Sequence, residues 1–253
     1  MPRGVELSAE GSNVPVRISI IVPVLNEAEA LSACLARIAS WQDEYVEVIV
    51  ADGGSEDETV AVARRSADHV VVAPRGRASQ MNAGAALASG EVLLFLHADT
   101  RLPEDGLQRI RAVIDRGAAW GRFDVRIEGK PLMLHVVAAL MNLRSRLTGI
   151  ATGDQAIFVR RATFDAAGGY ADIALMEDVA LCTALCKLAR PACIRARAVT
   201  SGRRWERHGV LRTIVLMWRL RLAYWMGDDP DALALRYGYR PRNHKQAPPG
   251  ELR

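Results

Sequence analysis

The sequence predicts an α/β fold built on a mostly parallel sheet, and three observations predict it. Short apolar runs of strand length alternate with amphipathic helical patterns through the first hundred residues. Each run ends in a polar, proline- or glycine-bearing segment, as strands feeding crossover helices do. The composition, 50% hydrophobic and 25% charged over 253 residues, is that of a folded chain, which excludes disordered, collagen-like and low-complexity architectures. That length suits one large domain or a core with an appendage.

Residues 1–17 read as a loose leader. Ile18-Ser-Ile-Ile-Val-Pro23 is the first strand, and Leu31, Cys34, Leu35, Ile38 and Trp41 repeat at helical spacing after it. Asn26 with Glu29 has the spacing of a capping box for that helix. Val46–Ala51 is a second buried strand, leading into Asp52-Gly-Gly-Ser55, where Ser55 and Glu58 form a second capping-box pair for a helix reaching about Ser66. Val70–Val72 is a short third strand, 77–88 an Ala-rich helix, and Glu91–Leu96 the fourth strand, with another helix opening near Pro103.

The second half changes character. Phe123, Val125 and Ile127 alternate with Arg122, Asp124 and Arg126, the pattern of a strand with one polar face. Residues 131–147 form a Leu/Met-rich helix ending in Arg144 and Arg146, Ala156–Val159 is strand-like, and a helix begins near Glu177. Residues 209–226 form a further helix rich in Leu, Met, Trp and Arg, and the tail from Arg240 has the composition of a disordered end. The organisation expected is a leader (1–17), a domain over 18–208 with halves at 18–102 and 103–208, helices over 209–239, and a tail (240–253).

The formal charge of +4 is too small and too scattered to indicate nucleic-acid binding, and suits a phosphorylated small molecule equally well. Four irregularly spaced cysteines exclude a disulfide framework; Cys182 and Cys186, one helical turn apart, read as small buried residues. No CxxC pair and no HExxH is present, so a structural zinc site is not indicated. The N-terminus lacks a signal-peptide core and no run reaches the ~20 apolar residues that span a bilayer. A cytoplasmic protein is expected. Residues 209–226, with Arg212, Arg219 and Arg221 beside an apolar face, have the pattern of a membrane-surface helix, so peripheral contact with the inner face of the membrane is a further expectation.

In open parallel sheets ligands bind beyond the carboxyl ends of the strands. Asn26-Glu27, Asp52-Gly53-Gly-Ser55 and His97-Ala-Asp99 follow the first, second and fourth strands. Singly each reads as a cap or turn; three in one βαβαβ unit point to a ligand site. No GxGxxG or GxxxxGK[ST] occurs, so phosphate charge must be met by side chains or a metal. Asp99 is a hard oxygen donor suited to Mg²⁺ or Mn²⁺, and His97 would share its side of the strand if pairing continued that far.

The order of Pro23-Val-Leu-Asn-Glu27, Val48-Ile-Val-Ala-Asp52-Gly-Gly-Ser55, Ala83-Gly-Ala85, Phe95-Leu-His-Ala-Asp99-Thr100 and Glu177-Asp178 resembles that of family 2 glycosyltransferases, over about residues 18–222. Gly153-Asp154-Gln-Ala-Ile-Phe-Val-Arg160, Leu175-Met-Glu-Asp178 and Arg203-Arg-Trp-Glu-Arg-His208 resemble a bacterial subgroup associated with radical-SAM and selenium-domain genes and with arsenosugar biosynthesis.

The resemblance implies a GT-A fold, a nucleotide-diphosphate sugar donor (UDP-sugar by analogy), a divalent metal and a hexosyltransferase-like, inverting reaction. Pro23, Asn26, Glu27, Asp52 and Gly53 would line the nucleoside pocket, with Asp52 at the base and Arg77 near the nucleotide. His97-Ala-Asp99 occupies the DXD position, so Asp99 would hold the metal with His97 replacing the first acid. Asp178 matches the catalytic base, with Glu177 in support. Arg203, Arg204 and Trp205 resemble a segment near the diphosphate, His208 would complete the metal site, and Asp154 belongs to the supporting set. The acceptor, a small molecule or a lipid-linked one, has no motif. Rival readings are a nucleotidyltransferase, which calls for a Gly-rich cationic first loop that Pro23–Glu27 lacks, and an inert binding or scaffold protein, which has no use for Asp52, Asp99 and Asp178 together.

Overall fold

The protein's structure is a computed structural model describing residues 14–41 and 43–239. Most of the expected leader and all of the expected tail therefore lie outside the described residues. β1 (Ile18–Val24) and β2 (Val46–Asp52) are buried at every position, as strands covered on both faces are. β3 (His69–Val72) is partly exposed, and β4 (Val92–Phe95) is again wholly buried. The helices α1 (Ala28–Ile38), α2 (Thr59–Ser66) and α3 (Arg77–Leu87) make the crossovers. A two-residue β5 (Thr100–Arg101) precedes α4 (Gly106–Asp115), which opens three residues after Pro103.

The second half adds β6 (Trp120–Glu128), α5 (Met133–Thr148), β7 (Phe158–Arg160), α6 (Arg161–Ala166), α7 (Glu177–Leu188) and β8 (Ala192–Ser201). It closes with α8 (Arg203–His208), α9 (Val210–Trp225) and α10 (Pro230–Tyr237). The sheet runs β3-β2-β1-β4-β7-β6-β8-β5. β1 lies parallel to β2 and β4, β2 to β3, and β6 to β8, while β7 runs antiparallel to β4 and β6, and β5 to β8.

Helices cover both faces. Leu31, Cys34, Leu35 and Ile38 of α1 pack with Ile110 and Ile114 of α4 against Ile20, Val22, Val48 and Leu94. On the other face Ala78, Met81 and Ala85 of α3 and Leu181, Cys182 and Leu185 of α7 pack against Ile21, Ile49, Leu93 and Phe95. The four described cysteines are free thiols; Cys182 is buried as expected and Cys186 is half-buried.

Three expectations are corrected. Asn26 and Ser55 do not cap α1 and α2, which begin after Glu27 and Glu58 without side-chain caps. The Asn26 carboxamide oxygen instead accepts from the Glu56 N–H at 2.8 Å, and the Asn26 N–H donates to Ser55 Oγ at 2.8 Å. The two loops grip each other across strand ends, so a tertiary partner outbids the local one. The polar face of β6 is also wet only at its end, where Arg126 is exposed. Arg122 is fully buried and ion-paired with Asp124, whose other oxygen pairs with Arg146 of α5. Finally, pairing of β4 stops at Phe95, so His97 and Asp99 stand on a turn closed by Thr100 N–H to His97 O at 2.9 Å, not on one side of a strand.

Candidate active site

Strand order reverses between β1 and β4, the position at which open parallel sheets bind ligands beyond the carboxyl ends of the strands. Pro23 stands at that end of β1. Odd-numbered residues of β1 face β4, as the Leu96 N–H donating to Ile21 O at 3.0 Å shows. β4 pairs no further than Ile21↔Phe95. Pro23, lacking an N–H, therefore sits where no ladder bond is needed, while its other side stays in register with Ala51 of β2.

Gln80 of α3, which sequence reasoning missed, ties the two strand ends together. Its buried amide nitrogen donates to Val24 O at 2.6 Å and Ala51 O at 3.0 Å. Gly53 leaves room for it, since a Cβ there would lie 3.0 Å from the Gln80 carboxamide carbon. The only sequence signal for Gln80 is a polar residue on the buried side of an Ala-rich helix. Asp52, almost fully buried, accepts from the N–H groups of Gly54 (2.8 Å) and Ser55 (2.9 Å) and from the Ser55 hydroxyl. A carboxylate offers about four acceptor positions, so capacity remains for an N–H or hydroxyl of a ligand.

His97 and Asp99 diverge from their turn. His97 Nδ1 lies 3.7 Å from Asp154 Oδ1, while Asp99 Oδ2 lies 3.7 Å from an Arg203 Nη2. Burial opposes charge on His97, but Asp154, followed by Asp99, holds its pKa above the ordinary histidine value. Glu27 is held above the usual carboxylate range by burial and then by the charge of Asp99, with His97, Arg77 and Arg203 pulling the other way. A carboxylate whose proton affinity is raised by a neighbouring carboxylate marks a setting in which a cation is favoured.

The start of α7 supplies the other acids. Met176 turns the chain with φ 71°, a left-handed conformation costly for a side-chain-bearing residue. It sends Glu177 and Asp178 in different directions. Buried Glu177 faces Arg77 at 3.9 Å, and burial followed by the Asp178 charge pushes its pKa up to about 7. Asp178 accepts from Gly153 N–H at 3.1 Å and Val179 N–H at 2.7 Å. Burial raises its pKa, and those two bonds restrain the rise. Gly153 is needed for proximity: a Cβ there would fall 2.4 Å from the His97 ring. The 3-10 turn Gly153–Gln155 thus joins Asp178 to His97 through Asp154. Asn82 of α3 steadies the approach to α7, exchanging bonds of 2.8 and 2.9 Å with the Tyr170 backbone.

The basic segment divides. Arg203 reaches the mouth, but Arg204 stacks its guanidinium 3.6 Å from the Tyr237 ring centroid and donates to Tyr237 O at 2.7 Å, which anchors α10. Trp205 packs on Val125, Ile127, Leu134 and Val137. His208 lies exposed at the end of α8. Among the described residues no three His, Cys, Asp or Glu side chains converge on a metal position. Asp99 and Glu27 offer hard oxygens of the type that Mg²⁺ and Mn²⁺ prefer, and the fit holds only if a ligand's own oxygens fill the other positions.

Known proteins match this architecture. A model of glycosyl transferase family 2 matches residues 19–165. A PGL/p-HBAD biosynthesis glycosyltransferase of Mycobacterium bovis (strain BCG / Pasteur 1173P2) is 41% identical over 104 residues, covering 38% of this chain and 41% of its own. An uncharacterized glycosyltransferase of Mycobacterium tuberculosis is 34% identical over 102 residues, covering 40% and 45%. These matches span less than half the length of the curated relatives. Among solved structures, S. aureus TarS 1–349 superposes with a TM-score of 0.59 at 21% identity, covering 74% of this chain and 60% of that one. The mannosyltransferase PcManGT of Pyrobaculum calidifontis, in complex with GDP-Man and Mn²⁺, gives 0.58 at 23%, covering 90% and 66%. The fold matches GT-A structures: an α/β, mostly parallel sheet flanked by helices.

Proposed function

The chain belongs to glycosyl transferase family 2, and from that premise we propose that it transfers a sugar from a nucleoside-diphosphate donor to an acceptor hydroxyl with inversion at the anomeric carbon. The observation that carries this reading is the link between the two ends of the mouth. Asp178 is bonded to Gly153, and the adjacent Asp154 pairs with His97 of the His97-Ala-Asp99 turn. A base and a diphosphate-binding turn held in one frame are what a single displacement needs.

In this proposal Asp52, Gly53, Pro23 and Asn26 form the nucleoside pocket, with the free acceptor capacity of Asp52 directed at the base. Arg203 and Arg77 stand by the diphosphate, Glu177 holds Arg77, and Arg204 serves the site by anchoring α10. A divalent cation, Mn²⁺ or Mg²⁺, would be held by Asp99 with Glu27 beside it and would neutralise charge on the departing diphosphate. Asp178 takes the proton of the acceptor hydroxyl as its oxygen bonds to the anomeric carbon. The bond from that carbon to the phosphate oxygen breaks, and the nucleoside diphosphate leaves with the electron pair.

UDP-sugar is the favoured donor, by analogy with the neighbour solved with UDP-GlcNAc. The motifs around Gly153, Leu175 and Arg203 support the subgroup associated with radical-SAM genes and an arsenosugar-type acceptor. The domain layout proposed is a transferase domain over 18–208 followed by the helices of 209–239, acting at the cytoplasmic face. The test is thermal stability with UDP, GDP, CDP and dTDP, each with and without Mn²⁺. One nucleotide at about 100 times its Kd should add about 2.7 kcal/mol, and should do so only with the metal. No stabilisation by any of the four would overturn the donor assignment.

A further inference from the structure

We propose that α5 and α9 together form a docking face for an anionic membrane surface. At the N-cap of α5 and along it, Leu132, Val136, Leu140, Leu143 and Leu147 are exposed. Their four- and three-residue spacing places them on one stripe, opposite the side on which Leu134, Ala138 and Ser145 are buried. On α9, Leu211, Val215, Trp218, Leu222 and Trp225 form a second such stripe, with Trp218 71% and Trp225 83% exposed. It stands opposite the buried Thr213, Leu220 and Ala223.

The two helices meet where α9 begins. Val210 and Ile214 of α9 pack into the cluster formed by Leu134, Val137 and Ala138 of α5. Ten large apolar side chains facing solvent from adjacent helices exceed what scattered surface residues explain. No helix among the described residues is long and apolar enough to cross a membrane, so the face can lie on a bilayer but not span it.

Charge selects the occupant. Neither helix contains an aspartate or glutamate, and α9 carries Arg212, Arg219 and Arg221; on α5, Arg146 is taken up by Asp124 and Arg144 is bonded to Ile150 O, so the charge of the face comes from α9. Helical spacing puts Arg212 and Arg219 on one flank of the α9 stripe and Arg221 on the other. An apolar stripe with tryptophans and flanking arginines matches the boundary between acyl chains and anionic headgroups. A second copy of the chain would set the same arginines against each other, which disfavours self-association.

The face also lies close to the mouth. The inner side of α9 places Leu220 and Ala223 against Leu175 and Met176, the residues that turn the chain into Glu177 and Asp178. One helix diameter, about 10 Å, therefore separates the docking face from the wall of the site. An amphiphilic acceptor resting in the bilayer surface would be within reach.

The experiment is flotation of the full chain with vesicles of phosphatidylcholine containing phosphatidylglycerol, and with phosphatidylcholine alone, without any donor. Because no nucleotide is present, failure here leaves the transfer reading standing. The protein should float with the anionic vesicles and stay below with the neutral ones. Leu140→Glu combined with Trp218→Glu should abolish flotation with unchanged circular dichroism. Arg212→Gln with Arg219→Gln should lower partitioning by more than tenfold, at about fivefold per arginine. Failure to float, or equal flotation with neutral vesicles, would overturn the proposal. So would a concentration-dependent dimer that the Leu140→Glu/Trp218→Glu variant dissociates, since the face would then belong to a second copy.

Discussion

Asp178→Asn is expected to lower turnover by roughly 10²–10⁴-fold, the usual cost of losing a general base, while donor affinity stays within about threefold. Asparagine keeps the side chain's shape and one oxygen to accept from the Gly153 or Val179 N–H, so the start of α7 should stay in place. What it removes is the group that takes the proton. Burial already makes the Asp178 carboxylate more basic than usual, and its two backbone donors hold it in one orientation. Release of the nucleoside diphosphate at saturating donor, with donor Kd measured separately, distinguishes loss of chemistry from loss of binding. Normal turnover in the variant would remove Asp178 from the base role, and a raised donor Kd with unchanged turnover would make it a binding residue.

The second large effect falls on stability. Asp124→Ala should cost about 3–5 kcal/mol, the range for breaking one side of a buried ion pair. Arg122 is fully enclosed, with Asp124 two residues along the same face of β6 and the Asn142 carbonyl at 3.4 Å. Without Asp124 its charge has no carboxylate beside it and no water to replace one. Arg146, at the mouth of the pair, would lose its partner as well. Arg122→Met should cost less, because Asp124 would keep Arg146 and the methionine fills most of the volume. Urea denaturation at constant m reads both changes. Equal, small losses for the two variants would mean that the pair is solvated in solution and does not brace β6 against α5.

The parts of this molecule legible in the sequence were those fixed by local pattern. β1, β2 and β4 are continuous apolar runs because both faces are covered, and α1 shows its buried stripe residue for residue. The positions of Asp52, Asp99 and Asp178 followed from strand ends and from the family resemblance. What was misread depended on partners far along the chain. Asn26 and Ser55 have the spacing of caps, yet they bond across two loops some thirty residues apart. Arg122 and Asp124 of β6 look as solvent-facing as Arg126 until α5 closes over the first two and leaves the third exposed. β8 carried a readable signal that went unused: Ile194, Ala198 and Thr200 are buried and alternate with exposed Arg195 and Arg197. Gln80 left only the weak signal of a polar residue on the buried side of an Ala-rich helix, and the stacking of Arg204 on Tyr237 had no local pattern, since each serves an element elsewhere in the fold.

The most direct test of the central claim is a crystal structure with the stabilising nucleoside diphosphate and Mn²⁺ bound. The account predicts the base beside Asp52, and the diphosphate and metal between Asp99 and Arg203 on the same side of the sheet as Asp178. A nucleotide bound away from the carboxyl ends of β1 and β4, or one whose phosphates point away from Asp99 and Asp178, would contradict it.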